Sequence, residues 1–161
     1  MRNLCGVRDA KGVKAKDLLV RMGPTLRVSI GFDETYDPAS PRKLPDLPAE
    51  GILALIDTGA STSCIDSTLA MYLQLPIVDQ LECAGIGGSM EVNMHMAQVH
   101  TPSLSFTLYG AFAGVDLTVG DHKVLLGRDF LRDFRMIYDG PTGAVDLIDP
   151  LQPLQSSVSD E

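Results

Sequence analysis

Leu26, Val28, Ile30 and Phe32 alternate with Arg27, Ser29 and Gly31, and a period of two predicts a strand with one buried face. Residues 33–50 hold Pro38, Pro41, Pro45 and Pro48. That spacing excludes a central strand or a helix interior and predicts a long connecting loop. Residues 52–56 are the unbroken apolar run Ile-Leu-Ala-Leu-Ile, which suits a strand buried on both faces. The run delivers the chain directly into Asp57, Thr58, Gly59 and Ala60. Asp66, Ser67 and Thr68 ahead of residues 69–73 read as a capped short helix that Pro76 stops. Gly85, Ile86, Gly87 and Gly88 make a glycine-rich turn after residues 77–83, and Met90, Val92, Met94 and Met96 then alternate with Glu91, Asn93 and His95, which predicts a hairpin. Residues 103–109 and 114–119 are two further strand candidates. Val124, Leu125 and Leu126 form a short buried run, and Phe130, Leu131 and Phe134 lie at helical spacing within residues 128–135. Residues 136–138 and 144–148 flank the turn sequence Asp139 to Gly143 and predict a strand pair.

Many short strands, frequent turn signals and only two short helices predict an all-β fold, a barrel or a sandwich. Residues 1–23 are weakly patterned and are expected to form a mobile or irregular N-terminal arm. Residues 24–149 then make the folded domain, and residues 150–161, polar and proline-containing, a disordered C-terminal tail. There is no internal repeat, and Asp-Thr-Gly occurs once.

The 161 residues fit one domain, and a hydrophobic content of 45% is that of a globular chain. A net charge of -8 and a pI near 4.7 argue against a nucleic-acid partner, which needs a basic surface. No apolar stretch approaches the length that spans a bilayer, so no membrane partner is expected. The N-terminus lacks the apolar core of a secretory signal. Cys5, Cys64 and Cys83 are sparse, odd in number and without C-x-x-C spacing, which points to reduced thiols and a cytoplasmic location. Buried packing is the expected role of Cys64. His95, His100 and His122 form no zinc pattern with the cysteines, so neither a metal nor a cofactor is expected.

Asp57 carries the candidate chemistry. A carboxylate directly after an apolar strand lies at the edge of a core, where it is costly unless hydrogen-bonded or paired. Gly59 permits a tight turn and exposes backbone N–H groups that can point at the carboxylate, and the Thr58 hydroxyl can donate or accept. Taken alone, the triplet reads equally well as a strand ending in an Asx-type turn.

The context of the triplet shifts that balance. Residues 52–61 resemble the active-site segment of the retropepsins, the retroviral and retroviral-like aspartic proteases, in which an apolar strand leads into D-T-G-A. Leu125, Leu126, Gly127, Arg128, Asp129, Phe130 and Leu131 are similar to that family's second motif, an apolar pair followed by Gly-Arg and a short helix. Residues 84–89 fall where the family carries a glycine-rich flap. The resemblance covers residues 26 to 148 in order. It departs at Ser61, where retroviral members usually have an aspartate that pairs with the arginine of the second motif, so Arg128 requires another partner. The proline-rich segment before Ile52 is also longer than in viral enzymes.

The resemblance implies a closed barrel of short strands with a flap hairpin and one or two short helices. It also implies peptide-bond hydrolysis by a water held between two carboxylates that share a proton. With a single triplet in the chain, the second carboxylate is Asp57 of a second copy, which makes a homodimer a requirement of the chemistry. Asp57, Thr58 and Gly59 are the implied catalytic residues, with Thr58 locking the two turns together and Gly59 donating to the carboxylate. Ala60, Gly85, Ile86, Gly87, Gly88, Val124 and Leu125 are the implied substrate-binding residues for an extended peptide or protein substrate, with apolar side chains expected beside the cleaved bond. The strand over residues 144–148 is the expected site of intersubunit pairing, because its edge would otherwise be exposed.

Other groups have plainer readings. Met90, Met94 and Met96 suit packing rather than metal binding. His122 is expected in solvent, Asp66 as a helix cap, Asp129 and Asp133 as helix-surface or cap charges, and Asp116 and Asp146 facing solvent. Two alternatives to an active endopeptidase stay open: a non-cleaving dimerisation or peptide-binding module on the same fold, and an enzyme that matures on removal of residues 1–23.

Overall fold

The computed structural model describes residues 2–4, 12–40, 43–85 and 88–150. Ile86 and Gly87 of the glycine-rich turn and the expected tail beyond Pro150 lie outside the described residues. In chain order the elements are β1 (Arg2–Leu4), α1 (Ala15–Met22), β2 (Thr25–Gly31), β3 (Ala49–Ile56), β4 (Cys64–Asp66), α2 (Ser67–Tyr72), β5 (Ile77–Gly85), β6 (Gly88–Thr101), β7 (Phe106–Val115), β8 (Val124–Leu126), α3 (Arg128–Leu131), β9 (Arg135–Asp139) and β10 (Ala144–Ile148), with a 3-10 turn at Pro102–Leu104. They fall into two units, one spanning Leu26–Phe130 and the other combining the chain up to Thr25 with the chain from Leu131 onward. Among the described residues no helix is long and apolar enough to cross a membrane.

In the central unit, β2, β3, β8, β4, β7 and β6 follow one another as hydrogen-bonded neighbours, and β2 also pairs with β6. The ring is therefore a closed barrel, the all-β architecture that the run of short strands predicts. Ile30, Ile65, Phe112, Leu126 and Phe130 fill it from several strands and from α3, each almost wholly buried, and the Phe106 and Phe130 rings meet edge to face at 5.7 Å. The predicted hairpin is present: β5 runs antiparallel to β6 and closes with Gly85 opposite Gly88, where Gly88 has a φ of 110° that disfavours other residues.

Several expectations are revised. Residues 103–109 and 114–119 do not make two strands; β7 runs unbroken over Phe106–Val115, through Gly110 and Gly114. Gly114 is required by packing, since a Cβ there would come within 3.0 Å of the His95 ring. His95 is accordingly not on a polar face. It is buried, with Nδ1 at 3.3 Å from the Leu75 carbonyl. In β3, Ala54 and Ile56 are buried while Leu53 and Leu55 are half-buried, so the apolar run alternates more than its composition suggests. The short strand β4 has no counterpart in the sequence reading, because three residues are too few to show a period. Asp66 does cap α2, accepting from the Leu69 amide at 3.0 Å, and it is buried.

The proline-rich loop is organised by one buried glutamine. Gln98 on β6 is fully buried; its side chain accepts from the Asp33 amide at 2.7 Å and donates to the Asp33 carbonyl at 3.1 Å. The Asp33 carboxylate takes the Thr35 hydroxyl at 2.7 Å, the Thr35 amide at 2.8 Å and the Asp46 amide at 3.1 Å. Gln98 thus holds Asp33, and the Asp33 side chain ties the two ends of the loop together.

In the other unit, β10 lies between β1 and β9, antiparallel to both. This corrects the expected role of residues 144–148: both edges of β10 are satisfied within the chain, so the strand is not an open edge for a second copy. Asp146, expected to face solvent, is buried in this central strand. The N-terminal segment, expected to be irregular, carries β1 and α1. The helix was hidden because Lys14 at its N-cap makes no side-chain cap bond and offers no start signal. Its end follows the usual rule, with Gly23 at φ 69° and its N–H on the Leu19 carbonyl. Gly143, at φ 76°, lies so close to the backbone of Ala15 and Lys16 that a Cβ would collide with it.

The Thr35 hydroxyl first, then the Asp46 and Thr35 amides, lower the Asp33 carboxyl from 3.8 to about 2. A carboxylate lowered on folding stabilises the fold above its unfolded value, and that contribution is lost as the pH falls through the folded value. Thr35→Val is expected to raise the Asp33 midpoint toward 3.8 in a carboxyl NMR titration. An unmoved midpoint would show that the hydroxyl is not the cause.

Candidate active site

The strands β3 and β8 run parallel, with Ala54, Leu55 and Ile56 opposite Val124, Leu125 and Leu126. Because they are in register, both end at the same level. Asp57 follows one and Gly127 the other, joined by the Asp57 amide donating to the Leu126 carbonyl at 2.9 Å. The chain then turns tightly. The Ala60 amide donates to the Asp57 carbonyl at 3.3 Å, and the Gly59 amide donates to Asp57 Oδ1 at 2.8 Å. A Cβ on Gly59 would lie 3.1 Å from that oxygen, so the glycine lets the backbone approach its own carboxylate. Asp57 is half-buried, and its charge is met by a backbone donor as such a position requires.

The segment after β8 braces this turn. The Arg128 amide donates to the Ala60 carbonyl at 2.9 Å and the Asp129 amide to the Ser61 carbonyl at 3.3 Å. Ser63, fully buried, donates its hydroxyl to Asp129 Oδ1 at 2.7 Å, accepts from the Gly127 amide at 3.0 Å, and gives its own amide to Asp129 Oδ2 at 2.9 Å. The two loops approach so closely that a Cβ on Gly127 would stand 2.9 Å from the Thr62 carbonyl carbon and 3.0 Å from the Ala60 oxygen. Arg128 finds its partner in the turn itself: Nη1 donates to the carbonyls of Thr58 and Gly59, each at 3.0 Å.

Above the turn lies a cleft of about 610 Å³. Asp57, Gly59, Ala60 and Ser61 line it from the turn, Leu125 from β8, and Gly88, Ser89 and Met90 from the hairpin. Its apolar wall is a cluster of Val92 and Ala113 with Cys64 and Val115 packed against them. Asp57 is the one carboxylate among the described lining residues, and Cys64 the one other titratable group. The described residues contain no cluster of His, Cys, Asp and Glu able to hold a metal.

The residues singled out by sequence are distributed as follows. Asp57, Gly59, Ala60, Gly88 and Leu125 share the cleft. Thr58 is exposed at the tip of the turn. Gly85 closes β5 opposite Gly88, and Ile86 and Gly87 lie outside the described residues. Val124 does not line the cleft: it is fully buried, because neighbours on a strand face opposite ways and Leu125 takes the cleft side. Cys64, expected in the core, is half-buried on the cleft wall. The sequence pattern predicts no role for Ser63 and a surface or cap charge at Asp129, whereas the structure joins the two across the loops. Asp129 follows Gly127 and Arg128 directly, and that proximity was the available signal for its role.

No protein-family model and no curated protein matches the chain. Among solved structures it is similar to one described as EIAV protease complexed with the inhibitor HBY-793, at 20% sequence identity, covering 68% of this chain and 86% of that chain with a TM-score of 0.46.

Ser63→Ala removes one acceptor and one donor at a buried point between the two loops. It is expected to lower unfolding stability by about 1–3 kcal/mol, read as a lower urea midpoint at unchanged slope. A midpoint equal to that of the parent would mean the link carries no stability.

Proposed function

We propose that this chain is an aspartic endopeptidase that works as a homodimer, each copy supplying one Asp57 carboxylate. The observation that carries the reading is the cleft floor: a carboxylate held by the Gly59 amide, with no second carboxylate among the described lining residues. Hydrolysis by this route needs a pair. The ionised member takes a proton from water as that water attacks the scissile carbonyl, and the protonated member gives its proton to the developing oxyanion or the leaving nitrogen. Two adjacent carboxylates sharing one proton is the arrangement known from aspartic proteases. A two-fold axis beside Asp57 assembles it from identical chains.

The surroundings suit the reading. Thr58 is exposed beside Asp57, and its hydroxyl, unlike its carbonyl, makes no hydrogen bond among the described residues, which leaves that hydroxyl for the second copy. An extended peptide lying in the cleft would meet β-strand edges and the apolar wall of Val92, Ala113, Val115 and Leu125, favouring apolar side chains beside the cleaved bond. The hairpin of β5 and β6 would close over it and exclude water. A non-cleaving peptide-binding module could keep the cleft, but it has no use for a carboxylate at the floor.

Asp57→Asn keeps the shape and removes the proton chemistry. Cleavage of an unfolded protein substrate, followed from acid to neutral pH, is expected to fall by at least about 10²–10⁴-fold. A variant that cleaves as fast as the parent would sink the assignment of Asp57, and a parent that cleaves at no pH would favour the binding module.

A further inference from the structure

We infer that Arg128 is a positioning residue that acts on Asp57 through a single peptide group; this rests on Asp57 being the catalytic carboxylate. The carbonyl of Thr58 and the amide of Gly59 belong to the same planar, conjugated unit. Its oxygen accepts from Arg128 Nη1 at 3.0 Å, and its N–H donates to Asp57 Oδ1 at 2.8 Å. A cation at the oxygen end draws electron density along the unit and makes the N–H a stronger donor, so the two bonds reinforce each other.

The geometry gives the cation few ways to do anything else. The same Nη1 also reaches the Gly59 carbonyl at 3.0 Å, so two consecutive carbonyls hold one nitrogen. The Arg128 amide is tied to the Ala60 carbonyl at 2.9 Å, which fixes the side chain's root to the same turn. Among the described residues no carboxylate pairs with the guanidinium, and Ser61 beside the turn is neutral. The charge is therefore directed at the turn rather than at an acidic side chain. Asp57 Oδ1 is thereby pinned, and Oδ2, without a hydrogen-bond partner among the described residues, remains to meet water. Removing the cation would loosen the orientation of the carboxylate while leaving the peptide-binding wall intact.

The 161-residue chain with Arg128→Gln and Arg128→Lys tests this, with the Gly59 amide proton followed by NMR and peptide cleavage followed in parallel. In the parent, the Gly59 amide is expected downfield of the other glycine amides; finding it among them overturns the inference without any variant. In Arg128→Gln that proton is expected to move upfield and kcat to fall about tenfold at unchanged KM, with Arg128→Lys restoring most of both. A folded Arg128→Gln protein with an unmoved Gly59 amide, or one that loses KM and keeps kcat, overturns it. If the parent cleaves nothing, the endopeptidase reading fails on that ground, and the Gly59 signal still decides the link to Arg128.

Discussion

The hydrogen bond from the Gly59 amide to the Asp57 carboxylate depends on β3 and β8 ending side by side. Parallel pairing in register brings the first residue after each strand to one level. From there Asp57 can turn back on itself while Gly127 and Arg128 pass close behind. A carboxylate at the rim of a core is costly unless donors meet it. Here the donor comes from the turn's own backbone, and the braces come from the neighbouring strand's continuation.

Those braces explain why small and polar residues sit where a core would favour apolar ones. Gly127 leaves room for the Thr62 and Ala60 backbone, and nothing with a Cβ could take its place without shifting them. Ser63 is buried yet satisfied, because its hydroxyl both donates to Asp129 and accepts from Gly127. A buried polar network of this kind is stabilising only when each member finds a partner, and the Ser63 and Asp129 side chains both do. The result is a braced floor beneath a cleft with an apolar wall of Val92, Ala113, Val115 and Leu125.

Much of this was legible from residue order. The strand into Asp57, the hairpin around Gly85 to Gly88, the cap at Asp66 and the strand pair around Gly143 all follow from period and turn chemistry, which are local. Features set by distant neighbours were not. His95 looked like the polar partner of an alternating strand, but a missing Cβ at Gly114 opens a buried place for its ring. Val124 and Leu125 looked equivalent, and only the direction of the strand decides which of them meets the cleft. Asp146 and the role of β10 depend on β1 arriving from the other end of the chain, which no window of sequence reveals. At Arg128 the sequence posed the question, by placing Ser61 where a carboxylate partner was expected, and the two turn carbonyls answer it.

Under the proposed function, a cleft with one carboxylate among its described lining residues makes pairing of chains the central requirement. Mixing the parent with increasing Asp57→Asn chain, after dissociation and reassociation so that subunits exchange, tests it directly. If two Asp57 groups must meet, mixed pairs are inactive, and cleavage falls more steeply than the fraction of parent chain in the mixture. Cleavage that stays proportional to the amount of parent chain would mean that each copy works alone, and would contradict the account.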